Sequence, residues 1–173
     1  MTSGFSFASI VASLVRCAAF PAFLLGILAI TTVVHFDFIA RYDLIALLCV
    51  TYQIAMLLTR IETPREFATI FIFHAMGVGL EIFKVNHGGW SYPEPAWAKI
   101  AGVPLYSGFM YASIGSFLLA GWKEFRAVPT GFPSARTMTL FAVTAYGNYF
   151  ANFWIPDLKP VLLVFAIVLF WKS

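Results

Sequence analysis

Long uncharged runs alternate with short clusters of charge and proline along this chain. The first run extends from Cys17 to Phe36, and the second from Leu44 to Thr59 between Asp43 and Arg60. The third covers Phe67 to Phe83 and carries one acid, Glu81. A fourth goes from about Gly102 to Trp122, and a fifth from Thr137 to Pro156. A sixth begins at Lys159 or Pro160 and reaches Trp171. A helical span takes about 20 apolar residues at about 1.5 Å rise each, with a floor near about 17. The first, fourth and fifth runs satisfy that, and the second and third do so with snorkelling flanks. From Val161 to Trp171 a helix covers only about 16 Å, so the last span is expected to be short or the sequence truncated at its C-terminus. We read it as truncated. The pattern predicts an all-α fold: a polytopic transmembrane helical bundle of five full spans plus a sixth short or truncated one, as a single integral membrane domain over residues 1–173.

Composition agrees with that pattern. The chain has 173 residues, 61% hydrophobic and only 11% charged, where soluble domains carry about a quarter. Mean hydropathy is +0.85. So few polar groups could not cover a soluble globule, and lipid is the natural solvent. A net charge of +3 is too small to argue for nucleic acid. Its distribution says more, because short cytoplasmic loops hold the excess of Lys and Arg. With the N-terminus cytoplasmic, Arg16, Arg60, Arg65, Lys123, Arg126, Arg136 and Lys172 fall inside, and Arg41, Lys84, Lys99 and Lys159 outside. That bias places the N-terminus inside and the protein in the inner (plasma) membrane as a multi-pass protein. The first run is longer than a signal-peptide core and lacks a small-x-small cleavage site, so it reads as a retained helix. The preceding "SFASIVASLV" is weakly amphipathic and suits the interface, without the basic face of a strong anchor. Cys17 and Cys49 lie in apolar stretches and read as buried small hydrophobes.

Ionisable groups at membrane depth are costly and default to functional hypotheses. Glu81 is the clearest. His74, Gly77, Glu81 and Lys84 fall on one helical face. Glu81 either pairs with Lys84 near the outer interface or lines a polar cavity as an acid, a base or a recognition group. His74 reads as a structural histidine or a binding residue. Asn148 and Asn152 lie one turn apart on the fifth run. They read equally as interhelical hydrogen-bonding glue and as ligand contacts. Asp157 follows one turn after Phe153 at the outer end and could join Glu81. On the fourth run Gly108, Ala112, Ser116 and Ala120 recur at every fourth position, a close-packing stripe. That stripe suggests a central helix, and a face through which an oligomer or a membrane complex could form.

After Glu81 comes "KVNHGGWSYPEP". The glycine pair ends the helix, and each proline biases the residue before it to an extended form. Trp90, Tyr92 and Trp97 suit an aromatic belt at headgroup level. The belt does not account for His87 and Glu94 gathered with Glu81. "AWAKIAGVPLYSGF" then returns to the membrane, and a short re-entrant or interfacial helix before Pro104 is expected there. The spacing of His74, Glu81, His87 and Glu94 matches no metal pattern. No phosphate-cradling glycine loop, nucleophile elbow or dinucleotide fingerprint is present, so no cofactor is named by the sequence.

The segment "FHAMGVGLEIFKVNHGGWSYPEPAWAKIAGVPLYSGFMYASIGSF" resembles the YoaT-like family of bacterial integral membrane proteins of unknown function. Members of that family are longer, in keeping with the short sixth run. A shorter motif is similar to the membrane carotenoid hydratases and, more distantly, the membrane lycopene cyclases: a membrane glutamate, "GGWSY", then "GVPL" opening the next span. Those families protonate or hydrate double bonds of isoprenoid chains. The resemblance implies Glu81 as the acid, and Trp90 and Tyr92 as aromatics that stabilise a carbocation. Desolvation favours the neutral form of a carboxyl, the form a general acid carries.

Three functions are open on the sequence. The first is a lipid- or isoprenoid-modifying or -binding protein with a polar pocket at the outer face around Glu81. Its catalytic candidates are Glu81 and His87, and its binding candidates His74, Trp90, Tyr92, Glu94, Asn148, Asn152 and Asp157. The second is a small-solute transporter or channel, though no matching broken helices are visible. The third is an accessory subunit of a membrane complex.

Overall fold

The computed structural model describes residues 6–125 and 131–171. The elements in chain order are α1 (Phe7–Cys17), α2 (Ala19–Ile30), α3 (Arg41–Leu58), α4 (Pro64–Asn86), β1 (Lys99–Ile100), β2 (Val103–Pro104), α5 (Tyr106–Phe125), α6 (Ala135–Ala151) and α7 (Lys159–Phe170). The chain divides into two compact units, Met1–Ala127 and Val128–Ser173. The fold is all-α apart from one minimal hairpin.

The first apolar run is not one straight span. α1 ends at Cys17, and α2 leaves it at 57°. Pro21 explains the break: it has no N–H to bond the carbonyl of Cys17, and its ring clashes with that carbonyl in a continuous helix. α2 then stops at Ile30, six residues before Phe36. There Thr31 and Thr32 turn their hydroxyls back onto the carbonyls of Ile27 (2.7 Å) and Ala29 (2.6 Å), the local competition that such residues offer a helix.

α3 and α4 follow the hydrophobic pattern closely. α4 opens with a capping box. Thr63 Oγ1 accepts from the Glu66 amide at 3.3 Å, and Glu66 Oε2 accepts from the Thr63 amide at 2.7 Å. Pro64 sits in the first turn, where its missing donor costs nothing. These two helices are long and apolar enough to cross a bilayer, and α1 with α2 forms a third crossing if the bent pair counts as one. Two to three spans are thereby supported among the described residues, where the apolar pattern predicts five full ones. α6 and α7 hold 17 and 12 residues, against a floor near about 17 for a crossing. α5 holds 20 residues, but its serines and the Lys123–Glu124 pair dilute its apolar character.

α5 is the central helix of the first unit, and its small face is spent inside the chain. A Cβ on Gly108 would lie 2.7 Å from both the backbone oxygen and Nδ1 of His74, and one on Gly77 would lie 2.4 Å from the Tyr111 ring. The backbones of α4 and α5 therefore approach as closely as glycine permits. Ala112 is fully buried with Phe20 and Ile70, and Ser116 is buried as well. The stripe is thus buried within the chain at Gly108, Ala112 and Ser116 and half-exposed at Ala120. Around α5, Leu24 and Ile27 of α2 and Tyr42, Ile45 and Cys49 of α3 form the main core cluster with Tyr106. Cys17 and Cys49 are both free and buried.

The re-entrant helix expected before Pro104 is instead the β1–β2 hairpin, with Ile100 opposite Val103 and Lys99 opposite Pro104. Ala101 (φ 50°) and Gly102 (φ 82°) form its turn. Two successive positive φ values match the primed turns that join tight hairpins.

In the second unit Ser134 caps α6 through the Thr137 amide at 3.2 Å. α6 ends at Ala151, before the expected Pro156. Phe141 meets Phe165 at 5.8 Å between ring centroids and Phe132 meets Phe170 at 5.7 Å, so α6 and α7 run antiparallel. Arg126 and Lys172 of the charge tally lie outside the described residues.

Candidate functional site

Glu81 lies one turn and a half before the end of α4 and is 3% exposed. Three neutral donors converge on its carboxylate. Trp90 Nε1 and Tyr92 OH donate to Oε2, both at 2.8 Å, and Tyr111 OH donates to Oε1 at 2.9 Å. Two of these come from the loop after α4 and the third from α5. Tyr111 reaches Glu81 because Gly77, one turn earlier on α4, leaves room for its ring. Burial first, and then the bond to Glu81, push the Tyr92 phenol well above its ordinary range, so Tyr92 stays a donor. An indole N–H donates only. All three contacts therefore have the carboxylate accepting.

The same loop is tied down at other points. Asp43, in the first turn of α3, accepts from the amides of Trp97 and Ala98, both at 2.8 Å. Arg41 Nη1 pairs with Glu94 Oε1 at 2.8 Å. Lys99 Nζ donates to the carbonyls of Tyr92 (2.6 Å) and Glu94 (2.8 Å) and lies 5.5 Å from the centroid of the Tyr42 ring. Glu94 is thus one anchor of a strap from α3 to the loop.

Of the residues expected to form the site, the structure gathers Glu81, Trp90 and Tyr92 directly, with Glu94 on the same strap. His87 is the exposed C-cap of α4, its Nδ1 2.8 Å from the Phe83 carbonyl. His74 lies two turns before Glu81, about 10 Å along the axis. It packs against Phe109 at 4.4 Å between ring centroids. Asn148, Asn152 and Asp157 belong to the second unit and serve its own turn there. Asn148 Nδ2 donates to the Pro156 carbonyl at 3.2 Å, and its Oδ1 accepts from the Leu158 amide at 3.1 Å. Asn152 caps α6. Asp157 accepts from the Lys159 amide and ammonium, both at 3.0 Å.

Two cavities lie elsewhere in the first unit. One of about 200 Å³ sits between α3, α4 and α5, with Gln53 and His74 as its polar members and Val50, Ile54 and Phe71 among its apolar lining. Gln53 Oε1 and His74 Nδ1 are buried without a hydrogen-bond partner. The other, of about 220 Å³, lies at the end of the bundle carrying the α3–α4 turn. It contains Glu62, which is 6% exposed and which the sequence reading passed over. Ser116 Oγ donates to Glu62 Oε1 at 2.6 Å, and Gln53 Nε2 donates to Oε2. Burial pushes the Glu62 carboxyl above its ordinary range, against the opposing pull of those two donors. Its only sequence signal was an acid immediately before the Thr63 cap, in a turn where charge is expected.

Comparison with known proteins agrees with the resemblance in the α4–α5 segment. The family model described as "Protein of unknown function (DUF817)" matches residues 6–173. The "Uncharacterized protein YoaT" of Bacillus subtilis (strain 168) is 40% identical over 154 residues, which is 89% of this chain and 58% of that relative. The chain thus spans somewhat over half the length of the curated relative it matches. No solved structure matches it. With a family model covering nearly its whole length and a relative at this identity, the chain belongs to the DUF817 family, the YoaT-like family of unknown function.

Proposed function

We propose that this protein is a multi-pass membrane protein, N-terminus inside, that binds an apolar lipid- or isoprenoid-class molecule in the cavity between α3, α4 and α5. The observation that carries this reading is the character of that cavity. Its lining includes Val50, Ile54 and Phe71, large apolar side chains exposed on the two helices best suited to a bilayer. An opening there meets acyl chains rather than water. Gln53 and His74 belong to the lining, but the wall that faces the space is apolar. A wall of that character suits a hydrocarbon body. Ligand sites of this kind are mostly apolar with a few placed polar groups.

On this reading Glu81 orders the loop over one end of the bundle. Acid catalysis by Glu81, with Trp90 and Tyr92 stabilising a cation, is the alternative that the carotenoid-hydratase resemblance implies. The three hydrogen bonds that tie Glu81 to the loop and to α5 favour the ordering role.

The test is extraction of the protein, purified in mild detergent, with organic solvent, followed by mass spectrometry. A hydrophobic molecule enriched over bulk membrane lipid is expected with the wild type. It should fall at least tenfold with Ala112→Phe, which fills the cavity, and with Val50→Trp, which crowds its opening. Bulk lipid alone, in equal amounts with wild type and both variants, contradicts the reading. Glu81→Gln should leave the bound molecule chemically unchanged. A chemically altered molecule accumulating in that variant would instead support catalysis.

A further inference from the structure

The cavity at Glu62 poses a different problem, because it holds a buried acid with no cation beside it. Two cations lie at this cavity, and each is already paired: Arg16 with Glu124 at 2.7 Å and Lys123 with Glu66 at 3.0 Å. Among the described residues none lies within ion-pair range of Glu62, whose oxygens meet only the neutral donors Ser116 and Gln53. An ionised carboxylate can accept about four hydrogen bonds, so acceptor capacity is left over on the side facing the cavity. Gln53, 5% exposed, spends its amide nitrogen on Glu62 and leaves its oxygen unpartnered. A buried carboxyl takes up a proton or pairs with a cation, and among the described residues Glu62 forms no ion pair.

The rest of the wall narrows what that partner is. A bare metal ion would need six or more oxygen ligands, and this cavity is lined mainly by apolar groups. Among them, Phe20 and Tyr52 stack with centroids 5.2 Å apart. A carboxylate in such a wall suits an organic cation, whose charge meets Glu62 while its hydrocarbon body meets the apolar lining. An anion is disfavoured by Glu62 and finds both basic residues occupied.

We propose that this cavity is a binding site for a small lipophilic ammonium ion, its nitrogen against the Glu62 carboxylate and its apolar body against Phe20 and Tyr52. The volume of about 220 Å³ admits a compact amine. The site is separate from the lateral cavity of His74, which Gln53 lines while its amide nitrogen bonds Glu62.

The probe is 2-phenylethylammonium, titrated against the purified full chain in neutral detergent at pH 8 and read as the rise in Tm. 2-Phenylethanol serves as the neutral counterpart of the same shape. A ligand that binds only the folded state raises Tm with concentration. The ammonium is expected to do so and the alcohol is not. Glu62→Gln should require at least tenfold more ammonium for the same rise. Ala120→Phe, which narrows the cavity and leaves Glu62 in place, should lose the response as well and decides the matter if Glu62→Gln fails to fold. Equal stabilisation by the alcohol, an unchanged response in both variants, or no response of the wild type to the ammonium would each overturn the proposal.

Discussion

Trp90 Nε1, Tyr92 OH and Tyr111 OH hold one carboxylate between two helices and a loop. A hydrogen bond to a charged group contributes about 1.5–3 kcal/mol. Trp90→Phe and Tyr92→Phe should each lose about that much, a fall in Tm of roughly 3–12 °C for a chain of this size. Differential scanning fluorimetry in detergent checks it, and proteolysis between residues 87 and 98 should speed up in the same variants. An unchanged Tm with unchanged proteolysis would mean that the loop is held by Asp43 and Lys99 alone. Glu62 makes a second prediction. Its folded-state carboxyl lies above the ordinary value of 4.5, chiefly through burial. The stability it contributes is therefore complete below about pH 4.5 and is lost as pH rises through the folded value. The groups facing it are Arg16 from α1, Tyr52 and Gln53 from α3, Glu66 from α4, and Ser116, Lys123 and Glu124 from α5. Glu62→Gln keeps all of these, so the wild-type Tm should fall relative to the variant as pH rises from 4.5. A constant difference across pH would contradict this. Glu81 was legible in the sequence because it was the one acid inside an apolar run, and Trp90 and Tyr92 because they followed within eleven residues. Tyr111 was not, since it arrives from another helix. Glu62 was missed because burial is a tertiary property, and its local sequence reads as an ordinary charged turn.

The helices themselves depend on different amounts of local information. α3 and α4 could be read almost to their ends, since charge, a capping box and proline bound them. The α1–α2 break needed only Pro21 and its distance from Cys17, a signal outweighed by the unbroken apolar run. The hairpin at 99–104 depended on Ala101 adopting a positive φ, which nothing in its own identity favours. The close approach of α4 and α5 was half legible. The small stripe on α5 pointed to a close neighbour, but that neighbour's own glycine, Gly77, acquires meaning only once Tyr111 is seen beside it. Gly77→Ala should push the Tyr111 ring aside and loosen its bond to Glu81, at a cost of about 1–3 kcal/mol. Gly108→Ala should cost at least as much, because its new methyl meets the His74 backbone oxygen, which cannot swing away. Gly79→Ala, with nothing within 4 Å of its Cβ, is the control and should be neutral or slightly stabilising in a helix. Thermal unfolding of the three variants in one detergent ranks them directly.

At the scale of the first unit, helices α3, α4 and α5 enclose an apolar lateral cavity, and a strapped loop follows α4. Family membership brings no activity to explain that arrangement, so the cavity's occupant is the central question. An experimental map of the protein purified without added lipid answers it most directly. The account predicts elongated density that enters between Val50, Ile54 and Phe71 and runs into the cavity as far as Phe109 and Ala112. A cavity closed by its own side chains, or holding only ordered water between Gln53 and His74, would contradict it.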